Sequence, residues 1–171
     1  MDTWQAINAR TSVREFKMEP VPEDHVEQLV QAAVRAPSAG NIQPWFFYIV
    51  TSGRLKNALA QAALGQGSIA SAPVVIVVCA EPEASAKIYG DRGRHLYCLQ
   101  DTAAALQNLM LAAIPLGLGT CWVGAFDEGK VAELLDMSGG RRPVAMVPVG
   151  YPENIKGVTP RKSLGQVMKY L

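Results

Sequence analysis

Two arginines four residues apart, with hydroxyl side chains between them, form the first segment whose residue types could do chemistry. The segment is R-T-S-V-R, residues 10–14. Guanidinium and hydroxyl donors at this spacing can gather around a phosphate group. A second basic cluster, Arg161 and Lys162, follows Pro160 near the C-terminus. A solvent-exposed basic turn and tail would contain the same residues, so these letters alone leave both interpretations open.

A polar loop lies between a helical pattern and an apolar strand pattern. Pro37 ends the helical pattern, and W-F-F-Y-I-V at 45–50 predicts a buried strand. Between them, the side chains of Ser38, Asn41 and Gln43 can hydrogen-bond the edge of a planar heterocycle, and such loops commonly carry binding groups. A capped helix end followed by a turn needs residues of the same kind and is the alternative.

A glycine-rich segment, G-L-G-T-C-W-V-G, occupies residues 117–124. Its glycines permit a close approach of the backbone to a ligand. It is not a dinucleotide-binding fingerprint, because Trp122 stands where that pattern requires glycine. The alternative is a helix that ends at a glycine and continues into a strand.

Metal and acyl-transfer chemistry are not indicated. The sequence contains no HExxH motif, no cysteine–histidine spacing typical of zinc and no G-x-S-x-G motif. An odd number of cysteines without a CxxC pair argues against a disulfide framework and favours a reducing cytoplasm. Cys121 lies among apolar residues, which predicts a buried and inert thiol. The three cysteines are Cys79, Cys98 and Cys121.

The composition predicts one domain, residues 1–171, with an unusually large buried surface. Hydrophobic residues make up 49% and charged residues 18% of the chain, against roughly 25% charged in an average soluble domain. A large oligomer interface would explain this excess. The net charge of +1 gives no electrostatic case for nucleic acid or for acidic membranes. The longest apolar region, 102–118, is interrupted by polar residues and proline, which indicates a buried helix and no membrane span.

The order of predicted elements indicates an α/β or α+β sandwich with helices covering a small sheet. The helix predicted over 93–116 would be about 35 Å long at roughly 1.5 Å per residue, which suggests packing against a partner subunit. A short helix or strand near the C-terminus, within 151–171, is also expected to cross to a partner. Helices are predicted over 3–9, from Pro22 up to Pro37, over 54–63, over 93–116 and from Asp127 to about Met137, and strands over 45–50, 74–80, 120–126 and 144–149.

The order of motifs resembles that of the nitroreductase-like family of FMN-dependent oxidoreductases, from about residue 4 to the end. The motifs are R-T-S-V-R-E-F, P-S-A-G-N-I-Q-P-W, A-P-V-V-I-V-V, Q-D-T-A-A-A-L-Q-N-L-M-L-A-A, G-L-G-T-C-W-V-G and P-R-K. The resemblance implies an α+β fold with a small mixed, mainly antiparallel sheet. It also implies an interlocked homodimer with one FMN in each of two interface sites.

The resemblance also assigns roles to individual residues. Arg10 and Ser12 should hold the phosphate end of FMN with the 161–162 cluster, and Arg14 should reach the pyrimidine edge of the flavin ring. The 37–41 loop would come from the other subunit and line the ring. The full cofactor-binding set implied is Arg10, Thr11, Ser12, Arg14, Pro37, Ser38, Ala39, Asn41, Gln66, Val123, Gly124, Arg161 and Lys162.

The reaction implied by the resemblance is a ping-pong hydride transfer. NAD(P)H would reduce the flavin at N5 and leave, and a nitroaromatic, quinone or similar flat acceptor would then be reduced. The flavin carries the redox chemistry, so no protein acid or base is required. Tyr89 and Arg92, in a 81–95 segment that could form a lid, are candidates to contact substrate; a plain surface loop is the alternative. A specialised FMN-dependent dehydrogenase or dehalogenase and a flavin-binding sensor without turnover also fit the same residues.

Overall fold

The computed structural model describes residues 1–155, 157 and 159–171 of the chain. Single turns of 3-10 helix cover Ala39–Asn41 and Leu164–Gln166, and a π-helical turn covers Gly93–Tyr97. The remaining elements, in chain order, are α1 (Thr3–Ala9), α2 (Glu23–Ala33), β1 (Trp45–Val50), α3 (Gly53–Ala62), α4 (Gly67–Ser71), β2 (Val74–Ala80), α5 (Pro82–Arg92), α6 (Cys98–Ala113), β3 (Gly119–Thr120), α7 (Glu128–Leu134) and β4 (Arg142–Gly150).

The four strands form one sheet in the order β1-β2-β4-β3, and all neighbouring strands are antiparallel. An isolated parallel bridge joins Ser12 to Thr120 at the β3 edge. The prediction of an α+β fold with a small, mainly antiparallel sheet is therefore confirmed. Strand β2 lies inside the sheet and is buried along its whole length.

Two apolar layers cover the two faces of this sheet. Successive side chains of a strand point to opposite faces, and in β2 the even-numbered residues Val74, Ile76 and Val78 pack with α2 and α6. The odd-numbered Val75 and Val77 pack with α3, α4 and α7 on the other face. The sheet is therefore a central layer, and its ends and edges are where binding groups can be presented.

Two predicted elements in the part of the chain between β2 and β4 differ from the observed ones. The predicted strand 120–126 is reduced to Gly119–Thr120 and one isolated bridge between Val123 and Met146. The predicted helix 93–116 is divided into the π-helical turn and α6, which ends at Ala113 because the chain turns at Gly117 with a φ of 72°.

The segment 81–95 is helical and not a flexible loop. Proline at the first position of α5 and Glu83 in its first turn favour a helix start. Gly90, with φ of 56° and ψ of −141°, interrupts the helix locally. No helix in the described part of the chain is long and apolar enough to span a membrane.

Candidate functional site

The basic N-terminal segment is fixed through its backbone beside β3. The backbone N–H of Val13 donates a hydrogen bond to the carbonyl of Thr120 at 2.9 Å. A Cβ placed on Gly119 would lie 2.6 Å from Cγ2 of Val13, so the close approach that this glycine permits is to the protein's own chain. The backbone of this segment is therefore fixed, and the side chains of Arg10 and Arg14 remain available to bind a ligand.

The charges of this segment are not neutralised within the described residues. Arg10 is half-buried and Arg14 is exposed, and neither takes part in any of the ion pairs formed among residues 1–155, 157 and 159–171. A small cavity lined by Ser12, Arg14, Glu15 and Asn154 opens beside them. Uncompensated guanidinium groups beside a hydroxyl are suited to an anionic ligand such as a phosphate.

The C-terminal basic cluster lies in an exposed stretch of the chain. Nη1 of Arg161 donates to the carbonyl of Thr159 at 2.7 Å, which ties the guanidinium to its own loop. Lys162 is exposed. The chain before this cluster runs along the N-terminal segment, where the backbone N–H of Glu153 donates to the carbonyl of Glu15 at 2.9 Å.

The polar loop 37–41 has an unusual left-handed backbone. Positive φ values occur at Gly40 (57°), Asn41 (54°) and Gln43 (55°); for residues with a Cβ this region is sparsely populated. The hydroxyl of Ser38 accepts a hydrogen bond from the backbone N–H of Gln43 at 2.9 Å, and Nε2 of Gln43 lies 3.3 Å from Oδ1 of Asn41. These contacts close the loop on itself, and the side chain of Asn41 is exposed at its surface.

Residues from two helices hold this loop in place. Oδ1 of Asp101, in the first turn of α6, accepts a hydrogen bond from the backbone N–H of Ala39 at 3.2 Å. The side chain of Tyr89 covers the loop, since a Cβ on Gly40 would lie 2.7 Å from its hydroxyl oxygen. Sequence reasoning missed Asp101, although a carboxylate in a helix with this many buried apolar residues is itself a signal of a buried polar role.

Asp101 is an acid in an unfavourable environment for charge. It is 7% exposed, and Oδ2 has no hydrogen-bond partner among the described residues. Burial raises the pKa of this carboxyl above its ordinary value, and the hydrogen bond from Ala39 opposes that rise in pKa.

A third group of predicted residues lies near the middle of the sheet edge. Val123 is buried and exchanges two backbone hydrogen bonds of 2.9 Å with Met146 of β4. Nε2 of Gln66, the residue that precedes α4, donates to the carbonyl of Ala125 at 3.2 Å. The structure therefore brings Gln66 next to the chain segment that contains the exposed Gly124.

The basic segment and the 37–41 loop lie at opposite ends of the sheet. The loop leads into Trp45, which pairs with Ala80 at one end of β2. The basic segment joins Thr120, which pairs with Val149, and Val149 pairs with Val74 at the other end of β2. Six residue steps of about 3.3 Å separate the two ends of β2, a distance of about 20 Å. Within one chain, the two groups therefore do not form one compact site.

The two candidate substrate residues are held by helical contacts. The rings of Tyr89 and Tyr97 pack edge to face with centroids 5.2 Å apart. Nε of Arg92 donates to the hydroxyl of Tyr97 at 2.9 Å, and its guanidinium carbon lies 5.3 Å from the centre of that ring. Both residues lie in α5, so the alternative of a plain surface loop is wrong for the backbone at these positions, although both side chains are exposed.

Among the described residues, the cysteines and the side chains that could bind a metal ion form no further site. All three cysteines are free and buried, and burial raises the pKa of Cys79 to about 12. Cys121 is 3% exposed, which confirms that it is buried. Among the residues that the structure describes, no group of three or more histidine, cysteine, aspartate or glutamate side chains could hold a metal ion.

Comparison with known proteins places these features in a family. The sequence profile of the nitroreductase family matches residues 7–70 and 64–151. A protein from Archaeoglobus fulgidus, provisionally named NADH dehydrogenase/NAD(P)H nitroreductase, is 32% identical over 154 residues, which cover 88% of this chain and 85% of that protein.

Two solved structures share the fold and align over most of the chain. A nitroreductase family protein from Clostridium novyi NT is 33% identical, with a TM-score of 0.81 over 90% of this chain and 87% of that one. The NADPH:FMN oxidoreductase from Vibrio harveyi, solved in complex with NAD⁺, is 27% identical, with a TM-score of 0.90 over 98% of this chain and 76% of that one.

Proposed function

Because the chain belongs to the nitroreductase family, we propose that it is an FMN-dependent NAD(P)H oxidoreductase that reduces nitroaromatics, quinones or similar flat acceptors. The Vibrio harveyi relative, named for NADPH and FMN, supports both the cofactor and the electron donor. When bound, FMN supplies hydride transfer through its N5 atom. The protein's part is then to bind and orient the cofactor, to favour its reduction and to admit flat substrates.

The donor set of the chain fits FMN. Arg10 and Ser12 would bind the phosphate, and the fixed backbone beside Thr120 would orient them toward it. Arg14 would lie at the pyrimidine edge of the ring, where a cation stabilises negative charge on the reduced flavin. Gln66 and the 123–124 segment would lie between these two ends, since Gln66 bonds the neighbouring Ala125. Arg161 and Lys162 would complete the phosphate site.

The observation that carries the proposal is the separation of the donor set into two groups at opposite ends of one sheet. Each group alone lacks half of what FMN requires: the basic segment has no ring-lining loop, and the 37–41 loop has no cation. A second copy, related by a two-fold axis, would bring the loop of one chain to the basic segment of the other. We therefore propose a homodimer with two FMN sites at its interface, since a two-fold interface presents the same pair of surfaces twice.

The substrate would reach the exposed face of the ring near α5. Tyr89 covers the ring-lining loop, and Arg92 stacks on Tyr97 beside it. We propose that these two exposed side chains contact the acceptor. The aromatic ring suits a flat substrate, and the guanidinium suits a nitro or quinone oxygen.

The proposal is tested by the visible spectrum of the purified protein, taken under anaerobic conditions before and after NADH or NADPH is added. We expect flavin absorbance bands that bleach within seconds, and that return when a quinone or nitroaromatic compound is added. Bound flavin that neither nucleotide reduces would favour a specialised enzyme or a sensor. A protein that cannot be reconstituted with FMN would contradict the proposal entirely.

A further inference from the structure

We propose that Asp101 is a positioning residue for the flavin site, which fixes the ring-lining loop by accepting a hydrogen bond from the backbone N–H of Ala39. The inference rests on the proposed function, because it assigns to Asp101 the placement of a loop that binds FMN. Asp101 itself need not touch the cofactor. Its distance to the Ala39 nitrogen is 3.2 Å, and the two residues are separated by 62 positions in the chain.

The loop needs a partner of this kind at this position. The backbone N–H of Ala39 opens a single 3-10 turn, and the first N–H groups of a helical turn have no partner inside it. The chain here has positive φ at Asn41 and Gln43, a conformation that for residues other than glycine persists only when the surroundings impose it. The hydrogen bond from Asp101 connects this loop to α6, which packs with α2 against the sheet.

The environment of Asp101 is poorly explained by stability alone. A carboxyl that is 7% exposed with one oxygen unpartnered among the described residues is costly to bury. The neighbouring Thr102 is also buried, but its hydroxyl donates only to the α6 carbonyls of Cys98 and Leu99, at 2.9 and 3.0 Å. Of these two adjacent polar residues, Asp101 therefore hydrogen-bonds to the 37–41 loop, whereas the hydrogen bonds of Thr102 stay within α6.

The test is FMN affinity, measured by titrating apoprotein and following the quenching of flavin fluorescence. Asp101→Leu should weaken binding about tenfold, which corresponds to about 1.4 kcal/mol. Asp101→Asn keeps an oxygen at the Oδ1 position and should bind within about twofold of wild type, because that oxygen can still accept the hydrogen bond from Ala39. The matched control, Thr102→Val, should leave the affinity unchanged. Thermal unfolding of each apoprotein shows how far the fold itself is affected.

A change on the loop side tests the same hydrogen bond when Asp101→Leu fails to fold. Ala39→Pro removes the N–H donor, and the extended Ser38 (φ −140°, ψ 152°) is compatible with a following proline. We expect a similar loss of affinity, and in the double variant a combined loss smaller than the sum of the two, because both changes remove one contact.

The results separate this inference from the proposed function. Wild-type protein that binds no FMN would overturn both. Wild-type protein that binds FMN while Asp101→Leu or Ala39→Pro binds equally well would overturn only the role of Asp101. A loss in Asp101→Asn as large as in Asp101→Leu would also overturn it, because the accepting oxygen would then not be the feature that matters.

Discussion

The two groups of the proposed flavin site are built in opposite ways. The basic segment at 10–14 is held by the backbone hydrogen bond from Val13 to Thr120, and its cationic side chains are left without partners among the described residues. The 37–41 loop bears no charge, and Ser38 and Asn41 accept hydrogen bonds from Gln43, which follows the loop. The first group offers charge on an ordinary extended backbone. The second offers a shape that depends on left-handed residues and on Asp101.

This difference predicts how each group responds to substitution. A charge can be removed from the basic segment without changing its backbone, so affinity should fall while the fold persists. In the loop the conformation itself is the functional feature, so a change in backbone or packing should affect stability and affinity together.

Arg10→Ala should produce the largest loss of FMN affinity. A hydrogen bond to a charged group contributes about 2 kcal/mol, so binding should weaken roughly 30-fold. Fluorescence titration measures the loss, and thermal unfolding of the apoprotein should be unchanged. Arg54→Ala, at an exposed arginine in the first turn of α3, is the matched control. Equal affinity in the two variants would contradict a phosphate site at residues 10–14.

Gly40→Ala should lower stability and affinity together. The new Cβ would lie 2.7 Å from the hydroxyl of Tyr89, at a φ of 57°, and the backbone cost alone is about 1–2 kcal/mol. Chemical denaturation measures the stability, with Gly139→Ala as control because that site has the same sign of φ (72°) and open space. Adding Tyr89→Phe to Gly40→Ala should restore only the part of the lost stability that comes from the clash with the Tyr89 hydroxyl. An effect no larger than that of Gly139→Ala would show that the loop tolerates movement.

Asp101→Asn should change how stability depends on pH. Burial raises the pKa of Asp101 in the folded protein, so ionising it costs the folded state. Its contribution to stability is present below the ordinary aspartate pKa of about 3.9 and is lost as the pH rises through the folded pKa. The stability of Asp101→Asn relative to wild type should therefore increase as the pH is raised from about 4 toward neutrality.

Asp127 provides the control of opposite sign. Its carboxylate caps α7, and the hydrogen bond from the backbone N–H of Lys130 lowers its pKa. The stabilisation by Asp127 is present above the ordinary aspartate pKa and is lost as the pH falls through the lowered pKa. Denaturation of Asp127→Asn below about pH 4 should therefore show the reverse trend, with the stability of the variant relative to wild type decreasing as the pH is raised. Parallel trends in the two variants would contradict the assignment of a raised pKa to Asp101.

Arg92→Ala should have the smallest effect, and it should change only the binding of the electron acceptor. The Arg92 side chain is exposed, and an exposed contact between its charge and a polar group of the acceptor would contribute about 0.2–1 kcal/mol. We expect the KM for a nitroaromatic or quinone acceptor to rise about threefold, with FMN affinity unchanged. Steady-state kinetics measures the first and fluorescence titration the second. A change in FMN affinity would place Arg92 in the cofactor site instead.

The strands β1 and β2 were predictable because each is a continuous apolar run, although β2 is buried throughout and β1 is only partly buried between its two ends. The apolar runs at 45–50 and 74–80 match β1 and β2 residue for residue, and Asp127 caps α7 as predicted. Local sequence patterns do not predict an element correctly where its formation depends on contacts with residues distant in the chain. Among the described residues, the 120–126 run pairs with β4 only at Thr120, opposite Val149, and at Val123, opposite Met146, although β4 continues to Arg142.

The candidate site was predictable in residue types but not in its arrangement. The R-T-S-V-R and P-S-A-G-N motifs could be recognised, and their places at opposite ends of the sheet required the strand register. Asp101 could not be linked to Ala39 from sequence, because the contact joins residues 62 positions apart. The helical state of α5 was signalled by Pro82, but the packing of Tyr89 over Gly40 depends on the tertiary structure.

The most direct test of the divided site is the FMN content of mixed dimers. One chain carries Arg10→Ala and Arg14→Ala, the other carries Ser38→Ala and Asn41→Ala, and the two are co-expressed with different affinity tags and purified through both. Each variant alone should bind little FMN. The mixed dimer combines one intact site with one doubly altered site, so we expect one FMN per dimer that NAD(P)H reduces. A mixed dimer without FMN, although the wild-type dimer binds it, would contradict a site shared between two chains.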